Sequence, residues 1–350
     1  MRLRSCILAI SATLALPAGL FAKCPIAPDG RLVLRAPVGN LFLETNGTDS
    51  VEVEVSNRQV VVQEICRREA VEISATAPAN VGVPDWKIRV PKGVTLDLST
   101  QGGSIQIEDT DGEALLRTSG GKITAGHIKG NALIYGTEVR TGNIGGNAEI
   151  IGRGGRMILG DIGGNMDLKT PGGDVSAGYV RGHVKAEMGS GAINIRESAG
   201  DVVITTKAGD IKSEYIKGSF DGRTESGNIR VGGVGSWVRA ITGVGDIFIR
   251  MVPTNIAGDL HVTAQAAFGD ITLYVPKAMK ATIDAVIEKP PLNSKGRIFS
   301  DFALKAPVSA IMGLQGLLPG GPERQGATVN GGGNNIKVRT SVGTINIRAD

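Results

Sequence analysis

Glycine returns in two registers between Gly103 and Gly245 of this 350-residue chain. One column is Gly103, Gly121, Gly155, Gly173, Gly191, Gly209, Gly227 and Gly245; the other is Gly112, Gly130, Gly146, Gly164, Gly182, Gly200 and Gly218. Most steps are 18 residues. The 34-residue step from Gly121 to Gly155 divides into one coil of 18 and one of 16, and Gly130 to Gly146 shows the same short coil. A fixed period of this size predicts a stacked-repeat fold, in which each repeat covers the apolar face of the last.

Each repeat carries two short alternations. Ile105/Ile107, Ile123/Ala125, Ile193/Ile195 and Ile247/Ile249 follow the first column, and Ala114/Leu116, Met166/Leu168 and Val202/Ile204 follow the second. Period two with one apolar side is a half-buried strand. A further apolar residue recurs at Ile128, Ile144, Ile162, Val180, Ile216 and Val234. Glycine marks the corners because it accepts positive φ and close backbone approach. The pattern predicts an all-β fold, a single-stranded parallel β-helix or β-solenoid with coils of about 18 residues. A β-sandwich would also suit short Gly-punctuated strands. It would not repeat residue types at one register over eight coils.

Outside this run the spacing loosens. Residues 23–99 carry longer strands and predict irregular coils or a β-cap that hides the open end of the stack. The regular core is expected over 100–275. Residues 276–350 then give further strands and a C-terminal cap, interrupted over 306–328 by Pro307, Pro319, Pro322 and several glycines. Val308–Leu318 fits a short amphipathic helix or, better, a surface loop.

Residues 1–22 read as a secretory signal peptide, with Arg2 and Arg4 before the apolar stretch Ile7–Leu16 and Ala22 at the cleavage position. The apolar stretch is too short for an ordinary transmembrane span, and no transmembrane segment is expected in the mature chain. The reading places the protein outside the cytoplasm: periplasmic, at the cell surface or secreted. Removal of Cys6 leaves Cys24 and Cys66, which in an oxidising compartment predict one disulfide, with two free thiols as the other reading.

Formal charge is +4; without Arg2 and Arg4 it is 36 basic against 34 acidic residues, or +2. Residues 101–250 hold 17 of each sign. That balance lacks the clustered cations of a nucleic-acid footprint. At 4% aromatic residues, no base- or sugar-stacking platform is evident.

Thr-x-x-Gly-(Asp/Asn)-(Ile/Val) occurs at 170–175, 206–211, 224–229 and 242–247. The chain ends in Asn330-Gly331-Gly332-Gly333, Ile336–Thr340 and Val342–Ile347. These segments resemble the bacterial putative-adhesin family of β-strand repeats, which is related to head-domain autotransporter adhesins. The resemblance spans most of 30–350 and implies the solenoid fold and an adhesin-like role. The chain departs from autotransporters in having no C-terminal run of amphipathic membrane strands.

The residue after the first glycine includes Asp174, Asp210, Asn228 and Asp246. Calcium needs six to eight oxygens, and alternate coils interrupt the column, so these residues predict turns that bond their own backbone. Asn131, Asn147 and Asn165 predict a structural asparagine ladder. The broken column Thr100, Thr118, Thr170, Thr206, Thr224 and Thr242 reads as strand-edge threonine. Scattered pairs such as Glu108/Asp109 and Glu197/Asp201 are the nearest thing to a glycosidase dyad, and solvated turns explain them. No catalytic residue, cofactor or metal site is expected. The function that follows is a non-enzymatic, extracytoplasmic binding or structural protein of the envelope, partnered by an envelope protein, a surface glycan or itself. The alternative is a β-helix polysaccharide lyase or hydrolase, which would show a groove with converging carboxylates.

Overall fold

The structure, a computed structural model, describes residues 16–17, 22–47, 49–78, 82–288, 298–305 and 322–350. Apart from Leu16–Pro17 and Ala22, the expected signal peptide lies outside the described residues, as does Val308–Leu318. The chain divides into two compact units, Met1–Gly142 and Asn143–Asp350. Among the described residues every regular element is a β-strand.

In the C-terminal unit the coils stack in parallel, in register. Strands Ile193–Ser198, Ile211–Ile216, Ile229–Val234 and Ile247–Met251 pair so that Ile193, Ile211, Ile229 and Ile247 lie over one another. Ile271 and Ile345 continue the row, and all six are 0–1% exposed. Each such side chain contributes about 1.5–3 kcal/mol by leaving water. The facing sheet stacks Val184, Val202, Phe220, Val238, Val262 and Ile336. Phe220 fits because Gly222, two residues on, leaves its ring space; an added methyl there would meet the ring. Parallel pairing in every regular coil rules out the sandwich.

The chain order of the coils breaks down at the ends. In the C-terminal unit, Asn334–Val342 pairs parallel with Val262–Phe268 on one side and Ala281–Ile287 on the other. The last coil is therefore wedged inside an earlier one. Glu323–Val329 closes that sheet as an antiparallel strand on Ala281–Ile287. The irregular stretch expected over 306–328 thus ends in a strand. Proline and glycine frequency concealed it because its pairing partner lies some 40 residues away.

The N-terminal unit behaves likewise. Arg31–Ala36 lies between Ala70–Thr76 and Thr95–Thr100, parallel to both, and Asn40–Asn46 lies between Asp85–Pro91 and Ile105–Ile107. Val61–Cys66 runs antiparallel to Ala70–Thr76. Ser50–Val55 runs antiparallel to Asp85–Pro91, and Ala22–Pro25 antiparallel to Ser50–Val55. A disulfide joins Cys24 to Cys66, Cα atoms 5.4 Å apart, and so ties the outer strands of the two sheets together. The 16-residue coil appears as the pairing of Ile123 with Val139.

Candidate binding face

The repeated polar residues are consumed by the scaffold. In the first glycine column of the C-terminal unit, a methyl added to Gly173, Gly191, Gly209, Gly227 or Gly245 would fall on the carbonyl of the glycine one coil earlier. Gly269 and Gly343 extend the row, and Gly39, Gly103 and Gly121 form the same row in the N-terminal unit.

The Asp/Asn position next to it is a ladder. Oδ1 of Asp174 accepts the N–H of Ala192 at 2.9 Å, Asp210 that of Asn228 at 2.9 Å, Asn228 that of Asp246 at 2.8 Å and Asp246 that of Asp270 at 2.8 Å. These groups were expected to bond their own turns. They reach the next coil instead, because strand spacing of about 4.8 Å puts its N–H directly beneath the side-chain oxygen.

The threonines face inward and are buried, three of them, Thr100, Thr118 and Thr170, as the last residue of a strand; Thr242 is 2% exposed. Their hydroxyls donate to corner carbonyls: Thr242 to Gly227 at 2.8 Å, Thr224 to Gly209 at 3.2 Å, Thr118 to Gly103 at 2.7 Å and Thr100 to Gly39 at 3.0 Å. Thr170 and Thr206 donate instead within their own corner, to Gly172 at 2.6 Å and Ala208 at 3.3 Å. The motif is a corner device in every copy: a buried hydroxyl on a corner carbonyl, close backbone approach, then a rung to the next coil.

A third ladder follows the second glycine column. Asn147 accepts from the Asn165 N–H and Asn165 from the His183 N–H, both at 2.8 Å. His183 Nδ1 accepts the Asp201 N–H at 3.0 Å, and Asp201 accepts the Ser219 N–H at 2.8 Å. That last bond is the largest of the effects that hold the Asp201 carboxyl below the usual range. The rungs are side chain to backbone rather than amide to amide. In the N-terminal unit Asn131 Nδ2 donates to Glu113 at 2.7 Å.

This column then changes character. After Ser219 its next two members are Trp237 and His261, whose rings stack 5.4 Å apart and 4° from parallel. The coil between them is longer by six residues, Gly245 to Gly269 spanning 24. The insertion supplies Asp259, whose Oδ1 lies 2.6 Å from His261 Nδ1. That hydrogen bond holds the Asp259 carboxyl below its usual range. Asn334 secures the insertion by accepting the Leu260 N–H at 2.9 Å.

Beside the stacked rings lies a cleft of about 530 Å³. Its floor is two outward columns of the sheet, Asp221–Arg239–Thr263–Lys337 and Ile241–Gln265–Arg339. Arg223, at the head of the second column, grips Asp221 through two contacts of 3.1 Å. Arg339 reaches Asp284 only at 3.9 Å, since Arg324 already holds that carboxylate at 2.8 Å. Arg239 and Lys337 form no ion pair within 4 Å among the described residues, although Asp221 and Asp284 adjoin them in register, because other arginines hold those carboxylates.

No family model matches the chain, and no curated protein matches it. Solved structures similar to it include two of adhesin type. One is a putative adhesin from Bacteroides fragilis, 12% identical over 67% of this chain and 96% of that one, with a TM-score of 0.26. The other is a putative cell adhesion protein from Clostridium sporogenes, 12% identical over 96% and 100%, with a TM-score of 0.17. At this level neither likeness carries an argument about what the chain does.

A second concavity, about 850 Å³, lies along the same sheet. Its charges are mixed: Lys169, Lys207 and Arg223 face Glu187 and Glu225, and Arg223 is already engaged by Asp221. Hydrogen bonding from Lys185 and the charges of Lys169 and Lys185 hold Glu187 below the usual carboxylate range.

Low aromatic content concealed the ring stack, because two rings suffice when register places them in adjacent coils. The signal was present as a break: Ser236 stands where the second column has glycine, and Trp237 where it has Glu, Asn, His, Asp or Ser. On the opposite sheet, Arg230 and Arg250 likewise sit over Phe248 and Tyr274, at 4.6 and 5.0 Å.

Proposed function

We propose that the chain is an exported, non-enzymatic β-solenoid that acts as an adhesin-like binding protein of the cell envelope, with the Trp237 cleft as its contact face. One observation carries the reading. The residues that repeat are spent on inter-coil bonds, and where a column abandons the pattern, half-buried rings and an excess of cations gather in a cleft. The Cys24–Cys66 disulfide supports life in an oxidising compartment. Among the described residues no helix is long and apolar enough to cross a membrane.

The carboxylates in the two concavities support binding over catalysis. A glycosidase acid needs a raised pKa, whereas lysines hold Glu187 low. Asp221 is occupied by its ion pair with Arg223. Partners compatible with the face are an envelope protein, a surface glycan or a second copy of the chain.

The test is capture of envelope components by the immobilised mature chain, with sedimentation to read self-association and sugar release measured on a polysaccharide panel. Capture or self-association without sugar release is expected. Sugar release, or neither capture nor self-association, overturns the reading.

A further inference from the structure

We propose that the Trp237 cleft binds an acidic saccharide, a chain of pyranose rings carrying carboxylate or sulfate groups. This rests on the reading of that cleft as the contact face and names its ligand.

Charge comes first. Arg239 and Lys337 are exposed, form no ion pair within 4 Å among the described residues and stand two coils apart in one column. At strand spacing that is roughly 9–10 Å. One small anion does not span two such centres, whereas a ligand with repeated charges does. Arg339, loosely held by Asp284, adds a third cation beside Lys337.

The remaining surface suits hydroxyl-rich rings. Thr263 and Gln265 offer hydrogen-bonding groups between the cations, and Ile241 with the Trp237 ring offers apolar contact. The volume falls within the range of ligand clefts, about 300–1,000 Å³. The array sits on rigid strands rather than a loop, and Asp259 fixes the orientation of His261.

Geometry disfavours the other polyanions. The cleft lies over the face of the sheet, where the backbone groups of each strand are paired with its neighbours, so an acidic peptide cannot add as a strand. A nucleic acid needs successive free ring faces, and here the two rings stack on each other.

The chain has two tryptophans. Trp86 is 0% exposed, with its indole N–H on the Val38 carbonyl, so a ligand-dependent change in emission reports Trp237. The probes are hexagalacturonate, a heparin hexasaccharide, fully methyl-esterified hexagalacturonate and hexaglutamate. Binding is read by tryptophan emission and calorimetry at low salt. The expected result is saturable binding of one or both acidic saccharides and none of the esterified one. Arg239→Ala/Lys337→Ala and Trp237→Ala, each with unchanged circular dichroism, should weaken it at least about tenfold. Lys169→Ala, outside the cleft, should leave it unchanged. Failure of both acidic saccharides to bind, equal binding by the esterified form or by the double variant, or tighter binding of hexaglutamate overturns the assignment. If wild type and double variant capture envelope components equally, the ligand and the cleft as contact face both fall, and only the envelope-binding role stands. If wild type captures nothing and does not self-associate, both fall.

Discussion

Three glycines of the C-terminal unit separate the two reasons why the corner residue is glycine. Gly154 has φ +110° with open space around it, so Gly154→Ala isolates backbone strain. Gly200 has no positive φ, but an added methyl would lie 2.5 Å from the Gly182 carbonyl oxygen, so Gly200→Ala isolates crowding. Gly209 combines both: φ +137°, with the methyl falling on the Gly191 carbonyl. Left-handed backbone costs an L-residue about 1–2 kcal/mol, less about 0.4–1 regained by stiffening the unfolded chain. That makes Gly154→Ala about 1 kcal/mol. An ordinary carbon–oxygen contact is about 3.3–3.6 Å, so the coils at Gly200 must part by roughly 1 Å. Parting stretches the 3.1 Å bond from the Gly200 N–H to the Gly182 carbonyl. Overpacking costs of about 1–3 kcal/mol apply. Gly209→Ala should therefore lose about 2–4 kcal/mol, a large share of the 5–15 kcal/mol typical of a folded domain. Urea titration followed by far-ultraviolet circular dichroism gives the three values. The reasoning is refuted if Gly209→Ala is no worse than Gly154→Ala.

Four further outcomes follow from contacts elsewhere in the fold. Burial pushes the Asp97 carboxyl upward, but hydrogen bonds from Arg35 and Arg31 and the charges of Arg35 and Arg117 more than offset this and hold it below the usual range. A depressed folded pKa stabilises above the unfolded value of about 3.9 and is lost as pH falls through the folded value. Acid titration should accordingly weaken wild type below about pH 4, and Asp97→Asn should be less stable at pH 7 and show a shallower acid loss. Thr242→Val, which removes the 2.8 Å bond to Gly227, should cost about 1 kcal/mol. Ser213→Ala should be neutral or stabilising in the same urea titrations, because the Ser213 hydroxyl is buried without a partner among the described residues. Reducing Cys24–Cys66 reopens a loop with a sequence separation of 42, for which chain entropy gives about 4 kcal/mol. Hydrogen exchange should then rise in Ala22–Pro25 and Val61–Cys66 first, and uniform exchange would count against a local clamp.

The period and residue types were enough to establish the architecture. A corner repeated at one register can only be satisfied by coils lying over one another, and inward alternation at Ile193, Ile211 and Ile229 says which side faces in. The Asp and Thr columns were legible as structural, but not in their partners. Whether Asp210 bonds its own turn or the coil beyond depends on a spacing that exists only once the coils are stacked. Tertiary structure alone decided the ends, where Arg31–Ala36 and Asn334–Val342 lie between coils distant in sequence. Pairing between strands tens of residues apart leaves no local mark. It also decided the cleft: Trp237 and His261 are 24 residues apart, and only a six-residue insertion absorbed at a corner brings them face to face above Arg239 and Lys337.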